Sequence, residues 1–191
     1  MKTMKLAVLV AAMTVAVGWW MAEARSDGTT QTVPTGSVPR FTVQADTNCV
    51  VDNLTGLMWA RDANLPGGIQ SWAQAVAFCK NLNYGGHNDW RLPNMMELFS
   101  LMDMKYTRPA LSNTEGTAKW KEGDAFKGVK EYDVKDKGGE CYYWVTTTTE
   151  GEPGGAWLVT FFNGSINREN DNETTGAGYV WPVREVKDKK P

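Results

Sequence analysis

The sequence is poor in the residues from which reaction centres and metal sites are built. Its 191 residues include a single histidine, His87, and only three cysteines, which form no Cys-x-x-Cys pair. These absences disfavour a zinc finger, a thioredoxin-type redox centre and a c-type haem site. Basic residues are not in excess either, with 20 Lys and Arg against 22 Asp and Glu. Because nucleic-acid-binding surfaces are basic, we expect no nucleic-acid partner.

Long apolar runs are scarce as well, and the longest one lies at the N-terminus. Lys2 and Lys5 precede an uncharged stretch over 6–22, and an Ala-x-Ala site follows it. This order predicts a secretory signal peptide over 1–24. A membrane anchor is the alternative, because 6–22 has the lower-limit length of a spanning helix. We therefore expect a chain that is periplasmic or extracellular and has no membrane contact after cleavage.

The cysteines are Cys49, Cys79 and Cys141. An oxidising compartment favours pairing two of them. We favour a Cys49–Cys79 disulfide, which would tie the first strand to the first helix and leave Cys141 outside the disulfide. The spacing allows the other two pairings as well. His87 has no second candidate ligand or paired nucleophile, so we expect it to shape a turn rather than to catalyse.

Two helices are predicted in the first half of the chain. Ser71 and Gln74 form a capping box ahead of an apolar face at helical spacing, and the glycine pair at 85–86 predicts the end of this helix. Asn94 caps the second helix, with Glu97 at its third position.

Strand signals dominate the rest of the sequence. We predict strands at 41–51, 56–60, 141–145, 156–162 and 179–184. The Asn-Gly pair at 163–164 predicts a hairpin turn, 167–178 a polar loop, and 104–140 a long surface excursion. Two helices followed mainly by antiparallel strands indicate an α+β fold, with a flexible lead-in over 25–40 and a charged tail over 187–191.

Motifs built around Trp, Pro and charged residues lie along these elements. V-D-N-L-T-G-L-M-W occupies 51–59, and D-W-R-L-P occupies 89–93. The residues to which we assign a structural role are Asp52, Asn53, Gly56, Trp59, Asp89, Trp90, Arg91, Pro93, Glu97, Trp144, Trp157 and Arg184. Arg91 in particular is expected to pair with Glu97 or Asp89. In this order the motifs resemble the Lcl C-terminal domain family, over residues 41–186.

The resemblance implies a C-type-lectin-like fold, related in architecture to formylglycine-generating enzymes. It also implies an exported bacterial protein, and the best-understood relatives are adhesins that bind sulfated glycosaminoglycans. This sequence has Val145 and Thr146 where the family usually has two serines, and Trp181 where Arg is common. Without residues 1–24, which carry two Lys and one Glu, the formal charge is −3. A net negative chain does not suit a polyanion, so we do not extend glycosaminoglycan binding to it.

Two groups of residues are candidates for ligand contact. Trp120 and Trp181 lie at irregular or edge positions where a sugar ring could stack on an indole, although for Trp181 the sequence favours burial. The predicted polar loop supplies Asn167, Arg168 and Asn170 as further ligand-binding candidates. The oxygen-rich residues Asn170, Asp171, Asn172 and Glu173 make calcium the one cofactor to consider.

The sequence favours an exported, non-catalytic binding module that recognises a glycan or a surface protein through loops on a lectin-like scaffold. Two alternatives stay open: an oxidase like the formylglycine-generating enzymes, and a structural subunit of a surface assembly. The sequence leaves the oligomeric state open.

Overall fold

Antiparallel strands and two helices build the part of the chain that the computed structural model describes, residues 38–46, 48–133, 139–148, 155–170 and 178–186. The α+β class is therefore confirmed. These residues all belong to one compact unit, 36–191. Among them, no helix is long and apolar enough to cross a membrane. The predicted signal segment, the lead-in before residue 38 and the charged tail lie outside the described residues.

The elements are β1 (Phe41–Val43), β2 (Cys49–Asp52), β3 (Leu57–Ala60), α1 (Trp72–Asn81), α2 (Met95–Leu101), β4 (Tyr132–Asp133), β5 (Gly139–Glu140), β6 (Tyr142–Thr148), β7 (Gly155–Thr160), β8 (Ile166–Asn170) and β9 (Val183–Glu185).

The first sheet joins the beginning and the end of the domain. Its four strands lie in the order β1-β2-β3-β9, and every neighbouring pair is antiparallel. The segment predicted as one strand over 41–51 is divided into β1 and β2. The division occurs because Asp46 accepts a hydrogen bond from Asn48 N at 3.0 Å, which forms a turn between them.

The second sheet has apolar residues on both faces. Its strands lie in the order β6-β7-β8. Tyr143 and Val159 point into the main core cluster, whereas Trp144 and Leu158 pack in a second cluster with Ala75 and Cys79 of helix α1. The sheet is thus covered on one side by the main core and on the other by a helix.

Strand β8 corrects the predicted polar loop over 167–178. The segment 166–170 pairs with β7 in continuous register, from Val159 opposite Ile166 to Gly155 opposite Asn170. A backbone ladder at the end of a sheet does not require apolar side chains, so hydrophobic periodicity gave no sign of this strand.

Both predicted capping boxes are present. Ser71 and Gln74 exchange hydrogen bonds at the start of α1, and Asn94 and Glu97 do so at the start of α2. The predicted end of α1 at residues 85–86 is wrong, because the helix ends at Asn81 and the chain is already extended at residue 82. The glycines belong instead to the following turn, where both have positive φ.

The predicted surface excursion over 104–140 also needs correction, because its middle part is buried. Leu111, Ala125 and Phe126 are fully buried in the main core cluster. Trp120 lies half-buried against them, and its indole N–H donates to the Phe126 carbonyl at 3.2 Å. The excursion lacks hydrophobic periodicity because it enters the core at isolated residues rather than along one face.

Aromatic rings fill the centre of the main core. Trp181 is fully buried, and its ring lies 5.0–5.9 Å, centroid to centroid, from those of Trp59, Phe126, Tyr143 and Phe161. Its indole N–H donates to the Ala60 carbonyl at 2.9 Å. Aromatic pairs at these distances add to the stabilisation that burial gives. Trp181 therefore holds together both sheets and the 104–140 segment.

Candidate functional site

The first family-like motif serves the fold rather than a ligand. Asp52 is fully buried, and its carboxylate accepts hydrogen bonds from Arg40, Leu54 N and Thr55 at 3.0–3.4 Å. Arg40 also donates to the Ser100 carbonyl of α2 at 2.5 Å. A buried carboxylate with this many donors is fully compensated for its desolvation. The motif thus ties the β2–β3 turn to the start of the domain and to α2.

Other residues of the same motif shape that turn. Asn53 donates to the Pro39 carbonyl at 2.9 Å, and Gly56 adopts φ 74°, a conformation that glycine reaches without strain. Of the tryptophans in the structural group, Trp59 and Trp144 are fully buried. Trp157 is half-buried against the main core.

The D-W-R-L-P motif at 89–93 joins α2 to the first sheet. Arg91 donates to both carboxylate oxygens of Glu97 at 2.7 Å, which is one of the two pairings considered from the sequence. The backbone of Arg91 exchanges hydrogen bonds with Val183 of β9. Burial alone would raise the pKa of Glu97, but the hydrogen bonds from Arg91 and Asn94 N lower it below the ordinary carboxyl value.

A second ion pair lies behind the same motif. Arg184 is buried, and its Nε donates to Asp89 Oδ1 at 2.6 Å. A cleft of about 350 Å³ passes beside the motif, with Trp90 and Leu92 among its lining residues. The charged groups of the motif are thus occupied by partners within the fold, so they are not the best candidates for holding a ligand.

The predicted Cys49–Cys79 disulfide is not present in the structure. Cys49 belongs to the main core cluster, whereas Cys79 faces the second cluster from α1. Burial raises the pKa of Cys49 to about 11 and that of Cys79 to about 12. The third cysteine, Cys141, is buried as well.

The predicted ligand-binding residues are not brought together. Trp181 is a core residue with no exposed surface, so the prediction that it stacks on a ligand is wrong. Trp120 is turned towards Phe126. Asn167 is exposed on β8, while the side chains of Arg168 and Asn170 and the whole of 171–173 lie outside what the structure describes. The calcium hypothesis at 170–173 therefore stays a prediction.

A different cleft offers unused polar groups beside exposed aromatic surface. It has a volume of about 350 Å³ and is lined by Arg108, Glu131, Tyr132 and Phe162. We call it the aromatic cleft. The ring of Tyr132 lies 5.8 Å from that of Phe162, centroid to centroid, at an angle of 34°. Tyr132 remains 46% exposed. The two rings therefore form a tilted platform at the surface.

Three separate segments position the aromatic cleft. Tyr132 is fixed on β4 by pairing with Glu140 of β5. Glu131 precedes it, and its carbonyl accepts from Cys141 N at 3.0 Å. Phe162 lies in the turn between β7 and β8, where its N–H donates to Thr160 Oγ1 at 3.0 Å.

Arg108 completes the cleft with an unusual backbone. Among the described residues it is the one non-glycine residue with a positive φ, 59°. Its N–H donates to the Phe162 carbonyl at 3.1 Å, and its guanidinium carbon lies 4.4 Å from the Phe162 ring centroid. A strained backbone conformation persists only where the surrounding structure holds it in place, and such residues are concentrated at functional sites. The two contacts with Phe162 thus hold the Arg108 cation over one ring of the platform.

Glu131 supplies an acceptor that the described residues do not use. Its Oε2 is buried, and no described residue donates a hydrogen bond to it. Burial raises the pKa of Glu131 above the ordinary carboxyl value, and the positive charges of Lys119 and Arg108 oppose that rise. A desolvated carboxylate oxygen gains free energy when a donor reaches it.

The described residues form an α+β domain with a surface cleft that is lined by two aromatic rings and two charged side chains. The chain belongs to the Lcl C-terminal domain family, whose model matches residues 48–184, more than two thirds of the chain. No curated protein and no solved structure matches the chain.

The four cleft residues were missed from the sequence. Glu131 and Tyr132 belong to a stretch of mixed charge that resembles a solvated surface. Phe162 gave no distinguishing sign, because an apolar residue before an Asn-Gly turn is what an ordinary hairpin strand contains. Arg108 gave none, since its importance depends on a backbone conformation.

Proposed function

We propose that this protein is an exported, non-catalytic binding module that captures a glycan in the aromatic cleft. The observation that carries the proposal is the tilted ring pair of exposed Tyr132 and half-buried Phe162, which lines a surface cleft together with Glu131 and Arg108. An aromatic face is partially negative and attracts the partially positive C–H groups of a sugar ring. The carboxylate and the guanidinium of Arg108 can then bond the hydroxyls around that ring.

The scaffold suits such a role. Phe162 follows strand β7 of the second sheet, Tyr132 is paired with Glu140 in the short β4-β5 sheet, and the Arg108 N–H donates to the Phe162 carbonyl. These contacts position the cleft residues, so little ordering is required when a ligand binds. We further propose that the scaffold is C-type-lectin-like and that the domain acts outside the cytoplasm, as the family resemblance implies. A protein ligand in place of a glycan is a possible outcome of the test below.

The oxidase alternative is not favoured by the thiols. A reactive thiol needs a lowered pKa and an accessible sulfur. Cys49 and Cys79 have the opposite properties, since burial raises their pKa values to about 11 and about 12. No specific observation favours a structural subunit.

A glycan array tests the proposal. Wild-type protein, Tyr132→Ala and the control Met96→Ala are applied under identical conditions. Met96 is 74% exposed on α2 and does not line the cleft, so its truncation matches the loss of an exposed apolar side chain. We expect binding by the wild type and the control, with a loss of at least about tenfold, equivalent to about 1.4 kcal/mol, in Tyr132→Ala. Equal binding by all three proteins, or capture of proteins but not glycans, contradicts the proposal.

A further inference from the structure

Strand β7 ends with a buried hydroxyl group. Thr160 is the last residue of this strand and has no exposed surface. Ala156 and Leu158, which point to the same side of the sheet, are buried and apolar. Burying a hydroxyl costs free energy unless it forms a hydrogen bond, and a valine of the same shape would avoid that cost. The hydroxyl of Thr160 is therefore explained by the hydrogen bond that it makes.

That hydrogen bond leads to the aromatic cleft. The Thr160 hydroxyl accepts from the Phe162 N–H at 3.0 Å. The backbone of Thr160 holds the rest of the same turn, because its carbonyl accepts from Gly164 N at 3.1 Å and its N–H donates to the Ser165 carbonyl at 3.0 Å. The backbone bonds are open to any residue other than proline at this position, whereas the bond to Phe162 requires a hydroxyl side chain.

Phe162 is thereby held on both sides of its Cα atom. Its N–H donates to Thr160, and its carbonyl accepts from Arg108 N at 3.1 Å. Because peptide groups are planar, these two bonds also set the direction in which the side chain leaves the backbone. The ring then lies 5.8 Å from the Tyr132 ring and 4.4 Å from the guanidinium carbon of Arg108.

We infer that Thr160 is a positioning residue, whose hydroxyl places the Phe162 ring in the aromatic cleft and thereby supports glycan capture, an inference that rests on the proposed function. Three variants separate this role from ordinary stabilisation. Thr160→Val removes the hydroxyl and keeps the shape of the side chain, whereas Thr160→Ser keeps the hydroxyl. Thr147→Val is the matched control, because the Thr147 hydroxyl on β6 also accepts a backbone N–H, that of Met95 at 3.3 Å, and does not line the cleft.

Proton NMR of the purified protein measures the position of the ring. Protons that lie over an aromatic face are shifted upfield, so the side chain of Arg108 reports where the Phe162 ring lies. We expect the upfield shift in the wild type, Thr160→Ser and Thr147→Val, and its loss in Thr160→Val. On the same glycan array, Thr160→Val alone should bind about fivefold more weakly, the equivalent of one hydrogen bond.

Hydrogen exchange of the wild-type protein gives a test that does not depend on how the variants fold. The amide of Phe162 should exchange more slowly than that of exposed Asn163 in the same turn. Equal exchange rates, or an unchanged Arg108 shift in Thr160→Val, would overturn the inference. Undiminished binding by Thr160→Val while Tyr132→Ala loses binding would do so as well and leave the proposed function standing. Binding that Tyr132→Ala does not reduce would instead overturn the proposed function, and with it the part of Thr160 in glycan capture.

Discussion

Arg108 connects the backbone conformation of this chain to its proposed activity. An L-residue in the left-handed region costs about 1–2 kcal/mol. Here the cost is met by the hydrogen bond from Arg108 N to the Phe162 carbonyl and by the stacking of the guanidinium on the Phe162 ring. We interpret the strained backbone as the means by which a cation is held over the cleft.

Two substitutions of Arg108 separate the cost of the strained backbone from the loss of the guanidinium contact. We expect Arg108→Gly to change the free energy of unfolding by no more than about 1 kcal/mol, because relief of strain offsets the lost cation–π contact and the added backbone entropy. Arg108→Ala keeps the strain and loses the contact, so it should be the less stable of the two by about 1 kcal/mol. Urea unfolding measures both. If alanine proves the more stable variant, the strain argument is wrong.

Glu131 is expected to lower the stability of the fold while it contributes to ligand binding. Burial raises its pKa, so between the ordinary carboxyl pKa and the raised value the folded state holds more protons than the unfolded state. Stability from this group therefore falls as the pH rises through that window.

We expect Glu131→Gln to raise the free energy of unfolding at pH 7 by less than about 1 kcal/mol, because a partly desolvated charge is removed while solvent screens the rest of it. The gain should shrink when unfolding is repeated near pH 4, where the wild-type carboxyl is increasingly protonated. A variant that is less stable than the wild type at pH 7 would contradict the assignment of an unsatisfied carboxylate.

Gly178 allows its own chain segment to pack closely against strands β6 and β7. A methyl group at this position would lie 2.7 Å from Leu158 Cδ2 and 2.7 Å from Trp144 Nε1. The same indole N–H donates to the Gln70 carbonyl at 2.8 Å. The close approach therefore depends on the absence of a side chain.

Substitution of this glycine tests the packing. Gly178→Ala should lower the free energy of unfolding by about 1–3 kcal/mol, because a buried methyl displaces two packed side chains. Gly68→Ala is the matched control, since an added methyl there has no neighbour within 4 Å. Thermal unfolding with near-ultraviolet circular dichroism of the tryptophans measures the effect. Similar melting temperatures for the two variants would disprove the close contact.

The elements that the sequence predicted well are those fixed by local chemistry. The capping boxes at Ser71 and Asn94 were predicted, because each depends on side chains three residues apart. Strand β8 was missed because its register depends on β7 rather than on its own residues. The end of α1 was placed at a glycine that is needed for another reason: a side chain at Gly85 would collide with the sulfur of Cys49.

The cysteines decide between two accounts of how the whole molecule is stabilised, by a disulfide or by strand pairing and core packing alone. An exported protein was expected to carry the Cys49–Cys79 disulfide, yet these residues lie in separate core clusters. The fold is instead closed by β9 against β3 and by the rings around Trp181. Stability should therefore not depend on oxidation.

We expect dithiothreitol to leave the melting temperature unchanged. In the native protein, Cys49 and Cys79 should react with Ellman's reagent at least tenfold more slowly than after denaturation, because both are buried and their pKa values are raised. Mass spectrometry of a non-reduced digest provides the control. A linked peptide that contains both residues would show that the disulfide exists.

The candidate site could not be derived from the sequence because it is an assembly of distant segments. Arg108, Tyr132 and Phe162 lie on a loop, a short strand and a hairpin turn, and no spacing rule relates them. Trp181 illustrates the converse: an aromatic at a predicted edge strand was kept as a ligand candidate although burial was favoured for it, and the structure surrounds it with four other rings.

Chemical-shift mapping with a glycan that the array identifies locates the binding site on the intact protein. Backbone amides of Arg108, Glu131, Tyr132 and Phe162 should shift in a saturable way, with little change at Lys80 and Asn88 beside the D-W-R-L-P motif. Shifts that cluster at the motif instead, or shifts absent from the aromatic cleft while a sugar binds, would contradict the assignment of this cleft as the ligand site.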